Sequence, residues 1–194
     1  MATKTKSWPH RYHPLLVGLH WVLALMILGN LIAGKFILDN LSNSDPSKLD
    51  VLRLHMAIGL SVGGLLVLRF LTRITTAKPP KADGPRWTHW LARGTHWAFY
   101  LVILGMVVSG LGMAQLGGLF PLLGGERIAL PDFATLPPHA GHAILSNVLF
   151  ALIALHLAGT VYHRVIKREN LLSRMWFGRR HTGDERRDEA YERA

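Results

Sequence analysis

Cysteine is absent from this chain of 194 residues. That removes disulfides, iron–sulfur clusters, thiolate-ligated haem and covalent c-type haem attachment at once. Acidic residues are scarce, twelve against 22 Lys and Arg, and none falls in an apolar stretch. Ion-coupled transporters and proton pumps keep carboxylates inside their membrane helices, so that class is disfavoured. There is no internal repeat, and nothing suggests a phosphate-cradling loop, an activated nucleophile or a metal-bound base.

What is present is concentrated. The apolar residues gather in four blocks, about 14–38, 51–71, 90–114 and 139–163, each 21 to 25 residues long. About 20 apolar residues cross a bilayer as a helix. The expected fold is therefore all-α, an integral membrane four-helix bundle in a single membrane domain. The first block is too long, and lacks the cleavage site, for a removed signal peptide. Lys4, Lys6 and Arg11 precede the first block, and Arg73, Lys78, Lys81 and Arg86 separate the second from the third. Nine more Lys or Arg follow the fourth, whereas loops 39–50 and 115–138 hold only Lys48 and Arg127. The positive-inside rule then puts both termini in the cytoplasm. Flanking cations explain the net charge of +10 more simply than nucleic-acid binding does. Trp8, Tyr12, Trp87, Trp90 and Trp97 suit the interfacial aromatic belt. Loop 115–138 is apolar enough to lie on the membrane surface as a lid, and 181–194 reads as a charged tail.

Inside the blocks stand four histidines, His20, His55, His142 and His156. An intramembrane His is costly, and neutral imidazole is a good iron ligand. His142 and His156 are 14 residues apart, nearly four helical turns and about 21 Å, so one face carries a ring near each membrane surface. With cytoplasmic termini, His20 and His156 share the inner depth and His55 and His142 the outer. Charge bias and ligand spacing thus give the same two pairs, as two axial bis-histidine haems require. His96, at the depth of His20, is a rival ligand for the inner haem or a quinone contact. His13 and His163, each seven residues from a proposed ligand, are candidates for haem propionates, a quinone head group or plain surface positions. Arg69 repeats the face of His55 on the inner side and could hold a propionate or snorkel to lipid phosphate. Arg53 and Lys35 lie outside, placed for outer propionates or for attracting an anion. Small residues, among them Gly59, Gly63, Gly105, Ser109 and Gly110, permit close approach of helices or of a flat cofactor.

These segments resemble the bacterial cytochrome b561 family. The matching features are L-H-W at 19–21, L-H-M-x-I-G at 54–59 and the H-x13-H of His142 and His156. The resemblance spans about 11–180 and rests on the four spacings with the topology more than on any one motif. It implies two haem b groups, with His20 and His156 on the inner iron and His55 and His142 on the outer. It also implies a bacterial inner-membrane location. The T-H-W around His96 resembles a third-helix histidine that has no ligand role in that family. Members of this size are similar to superoxide oxidase, a superoxide:quinone oxidoreductase delivering electrons to ubiquinone. Lys35, Arg53 and Arg127 would then steer the superoxide anion, against the acids of loop 39–50 and Asp132. The alternative is a cytochrome b subunit that anchors a hydrogenase or other dehydrogenase and has no substrate of its own.

Overall fold

A computed structural model describes residues 11–79 and 85–177. Part of the basic lead, Lys81 and the charged tail 181–194 lie outside the described residues. The long helices are α1 (Pro14–Ile32), α2 (Pro46–Thr75), α3 (Arg86–Leu116) and α5 (Pro137–Val165), with the single turn α4 (Phe120–Leu123) between the last two. No strand occurs among the described residues. Four stretches of 27 to 31 residues, the first running on from α1 to Asn40, are long and apolar enough to span a membrane. At about 1.5 Å per residue each exceeds the ~30 Å hydrocarbon core, so their ends reach the headgroup zone.

Proline and local caps set where the helices begin. Pro14, Pro46 and Pro137 each occupy the first helical turn, where a missing N–H costs nothing. His13 Nδ1 accepts from the Leu15 amide at 3.2 Å, and Asp45 Oδ1 accepts from the Ser47 amide at 2.9 Å and its hydroxyl at 2.7 Å. These bonds hold the Asp45 carboxylate below the usual range. The helices α2, α3 and α5 outrun their apolar blocks, α2 by five residues at its start and four at its end. Only the end of α1 is irregular. A π-helical turn, Ala33–Ile37, and a 3-10 turn, Leu38–Asn40, replace its last α-helical residues.

The closest backbone approaches join α1 to α2 and α3 to α5, with α2 touching α3. Leu23, Leu31, Val62, Leu66, Ile103 and Leu149 fill the middle of the bundle. Leu25, Val67, Leu104 and Leu157 point outward, as lipid-facing side chains do. The loop expected to lie on the membrane surface as a lid folds onto the bundle end. Leu119 and Leu122 pack with Leu52 and Ala114, and Arg53 Nε donates to the Leu122 carbonyl at 2.8 Å. The chain reverses there at Gly118 and Gly125, whose φ angles of 63° and 95° only glycine adopts readily.

The opposite end is closed by residues 171–177. Trp21 Nε1 donates to the Met175 carbonyl at 2.8 Å, and the Tyr12 amide to that of Arg174 at 3.2 Å. Arg11 Nη1 reaches the carbonyls of Trp176 and Phe177 at 3.3 and 2.9 Å. The Trp21 and Trp176 rings meet edge to face at 5.6 Å.

Candidate functional site

The bundle brings its intramembrane imidazoles together in pairs. His20 on α1 faces His156 on α5 with ring centroids 6.2 Å apart, and His55 on α2 faces His142 on α5 at 6.3 Å. Two imidazoles sharing one metal ion have nearly this separation. A metal–nitrogen bond of about 2 Å and roughly 1.1 Å from nitrogen to ring centre, counted on both sides, give about 6.2 Å. No group of three or more His, Cys, Asp or Glu able to hold a metal occurs among the described residues. Each pair therefore suits an ion that brings its other donors with it, as a porphyrin-bound iron does.

Local chemistry prepares one ring for that role. Ser109 Oγ donates to the Gly105 carbonyl at 2.7 Å and lies 2.9 Å from His142 Nδ1, with a lone pair that suits the Nδ1–H tautomer. In that tautomer Nε2 is unprotonated, which is the form that binds iron. Beside the His55–His142 pair lies a cavity of about 520 Å³, with His55, His142, Gly34, Gly59 and Gly110 on its walls. Gly34 keeps the helix backbone close to the His55 ring, and a Cβ there would fall a tight 3.0 Å from His55 Cε1.

Around the His20–His156 pair, Trp21 packs on His20 at 5.5 Å and Phe99 on His156 at 5.7 Å. His96 lies 6.1 Å from His156, as near as His20 does, and its Nδ1 is 2.6 Å from the Ala92 carbonyl. The helices favour His20 as the partner across a flat cofactor. α3 and α5 are the most closely packed pair, with Gly105 against Leu145 and Gly112 against Pro138, whereas α1 and α5 are not among the main backbone contacts. Arg69 Nη1 donates to Tyr100 Oη at 2.7 Å, while its Nε is buried without a partner.

The remaining candidates are engaged locally. His13 caps α1, and His163 Nδ1 lies 2.9 Å from Glu169 Oε2. Lys35 pairs with Asp39 at 3.8 Å, and Asp50 faces both Arg53 at 3.4 Å and Arg127 at 4.0 Å. Three site features were not anticipated from the sequence: Gly34, the hydrogen bond made by Ser109, and Lys48, buried with its Nζ 2.6 Å from the Leu41 carbonyl. A polar residue inside an apolar block was the available signal for Ser109. For Gly34 there was none beyond its being glycine.

Apolar helices that cross a membrane and present paired imidazoles to one another make a membrane cytochrome of the b type. Comparison with known proteins agrees. The family model for prokaryotic cytochrome b561 matches residues 11–178, and the chain belongs to that family. It is 24% identical over 181 residues to the probable superoxide oxidase CybB of Yersinia pestis, covering 85% of this chain and 95% of that protein. It is 28% identical over 168 residues to cytochrome b562 of Cereibacter sphaeroides, covering 84% and 94%. Haem binding and electron transport follow from the family.

Proposed function

We propose that this cytochrome holds two haem b groups and carries electrons from superoxide, on the periplasmic side of the bacterial inner membrane, to ubiquinone. The observation that carries the reading is the pair of 6.2 and 6.3 Å imidazole contacts, one on α1 and α5 and one on α2 and α5. Both termini are cytoplasmic in this reading, supported by the basic flanks. Each haem, when bound, supplies a one-electron carrier. His20 and His156 hold the inner one, and His55 and His142 the outer. Spacing the ligands by 14 residues on α5 divides the width of the membrane into shorter transfers. The balance is simple: two superoxide anions each lose one electron to give dioxygen, and one quinone takes two electrons and two protons to give quinol. Arg69 supplies a cation for an inner propionate, consistent with its unpartnered Nε. The quinone candidates are His13, His96 and His163, each with its Nδ1 engaged locally and its Nε2 left for a head group.

The purified protein tests this directly. Two b haems reduced on mixing with a superoxide source, and reoxidised by added quinone, support the reading. Haems that ignore superoxide overturn the donor and favour the hydrogenase or dehydrogenase subunit. Absence of haem overturns the ligation.

Steering adds a second expected result. Lys35, Lys48, Arg53 and Arg127 at the outer end face Asp39, Asp45, Asp50, Glu126 and Asp132, four cations against five carboxylates. Asp50→Asn removes the group shared by Arg53 and Arg127. Reduction by superoxide then speeds up about two- to fivefold at low ionic strength, and the gain shrinks as salt screens the mouth. Stopped-flow rates at two salt concentrations measure it; an unchanged rate at both removes steering from this proposal.

A further inference from the structure

The two rings of the outer pair differ in one respect. His142 Nδ1 has Ser109, whereas His55 Nδ1 is buried with no hydrogen bond of acceptable geometry. A metal-bound imidazole ordinarily donates its second N–H to an oxygen, which fixes its tautomer and strengthens it as a donor. A second orphan lies in the same cavity: the Asn30 Oδ1, also buried and unpartnered. Asn30 sits one helical turn before Gly34, whose Cα lies against His55, the ideal Cβ falling 3.0 Å from Cε1 and 3.5 Å from Nδ1. The Asn30 Nδ2 lies against Gly59, one turn beyond His55 on α2. An unpaired amide oxygen inside a membrane span is costly, and polar side chains there mark function.

We propose that the Asn30 side chain is the acceptor for His55 Nδ1–H, matching what Ser109 does for His142. This inference rests on the reading of His55 as a haem ligand. With iron on Nε2, the neutral ring carries its proton on Nδ1, and a rotation of the Asn30 amide satisfies both orphans with one bond. The Asn30 main-chain carbonyl, which accepts from the Ala33 amide at the end of α1, also faces the His55 ring and is the competing acceptor. Asn30 is a positioning residue in this scheme. Its bond gives the imidazole more anionic character, which favours ferric iron and lowers the potential of the outer haem alone.

The test is a redox titration of the purified holoprotein, followed optically and by low-temperature EPR, where each bis-imidazole haem has its own signal. Asn30→Leu raises the outer potential and Asn30→Asp, which keeps an acceptor and adds charge, lowers it, with the inner potential fixed in both. Ser109→Ala shifts the same haem in the same direction as Asn30→Leu. If Leu at this position prevents outer loading, Asn30→Ala gives the same comparison without the bulk. Equal potentials in all Asn30 variants overturn the proposal and assign the proton to the main-chain carbonyl. Shifts of one sign in Leu and Asp variants overturn it as well, since a packing change moves both alike. A His55→Ala protein that keeps both low-spin haems overturns the ligand reading itself.

Discussion

His156→Ala is expected to lower the haem content from two per chain to one and to abolish electron delivery to quinone. His156 is the ring that both inner candidates face, His20 at 6.2 Å and His96 at 6.1 Å. Its removal leaves neither of them a partner across the iron. Even groups that only orient a metal ligand are worth roughly 10–100-fold in affinity, and loss of the ligand itself costs more. His20→Ala is the milder change, because His96 still faces His156. The outer pair is the internal control. His55 and His142 lie at the other end of the bundle, so the retained haem reports a folded protein. Haem per chain and the EPR signals of the purified variants measure the result. Two full haems in His156→Ala would remove α5 from the inner site.

The second large effect is expected at Gly34. The ideal Cβ position is 3.0 Å from His55 Cε1, closer than real Cβ atoms normally approach. An aromatic ring cannot bend away, so His55 must rotate about its own side-chain bonds and leave its register with His142. Overpacking of this kind costs roughly 1–3 kcal/mol in a well-packed interior. Here it falls on a ligand whose position must hold to a few tenths of an ångström. Gly34→Val, which adds two further methyl groups, is expected to empty the outer site or leave it high-spin. Gly34→Ala is expected to shift the outer signal without abolishing it, and both leave the inner signal unchanged. Spectra of the two variants side by side check the grading. A Gly34→Val protein with an unaltered outer signal would show that the π-helical turn yields instead of the ring.

The spans and the histidine pairs were legible in the sequence because both are chemically exceptional. Twenty apolar residues in a row have one common solvent, and a ring that titrates near neutrality is rare in it. Helix ends were less legible, since Asp45 and Pro46 start α2 in polar sequence that hydropathy does not mark. Loop 115–138 signalled burial through its leucines without saying against what. Its target, Leu52 with Ala114, is set by how α2 and α3 meet. The π-helical turn at Ala33–Ile37 has no local signature, as one altered hydrogen-bond register answers to tertiary contact. Charge steering was the least legible part. The sequence set the acids of loop 39–50 against Lys35, Arg53 and Arg127 without pairing them, and the fold puts Asp39 beside Lys35 and Asp50 beside both arginines. His96 shows the limit of spacing arguments: depth put it level with His20, and the distances do the same. Only the tight packing of α3 on α5 separates the two.

One imidazole of each pair comes from α5, the last of the four spans to leave the ribosome. Neither pair exists while the first three helices wait in the bilayer, however complete their own packing. In the proposed ligation, cofactor loading therefore waits for the last span, and a nascent chain arrested before residue 142 lacks one ring of each pair. The clasp of residues 171–177 on Trp21 forms later still. In that order of synthesis the Trp21 end of the bundle is the last to be closed.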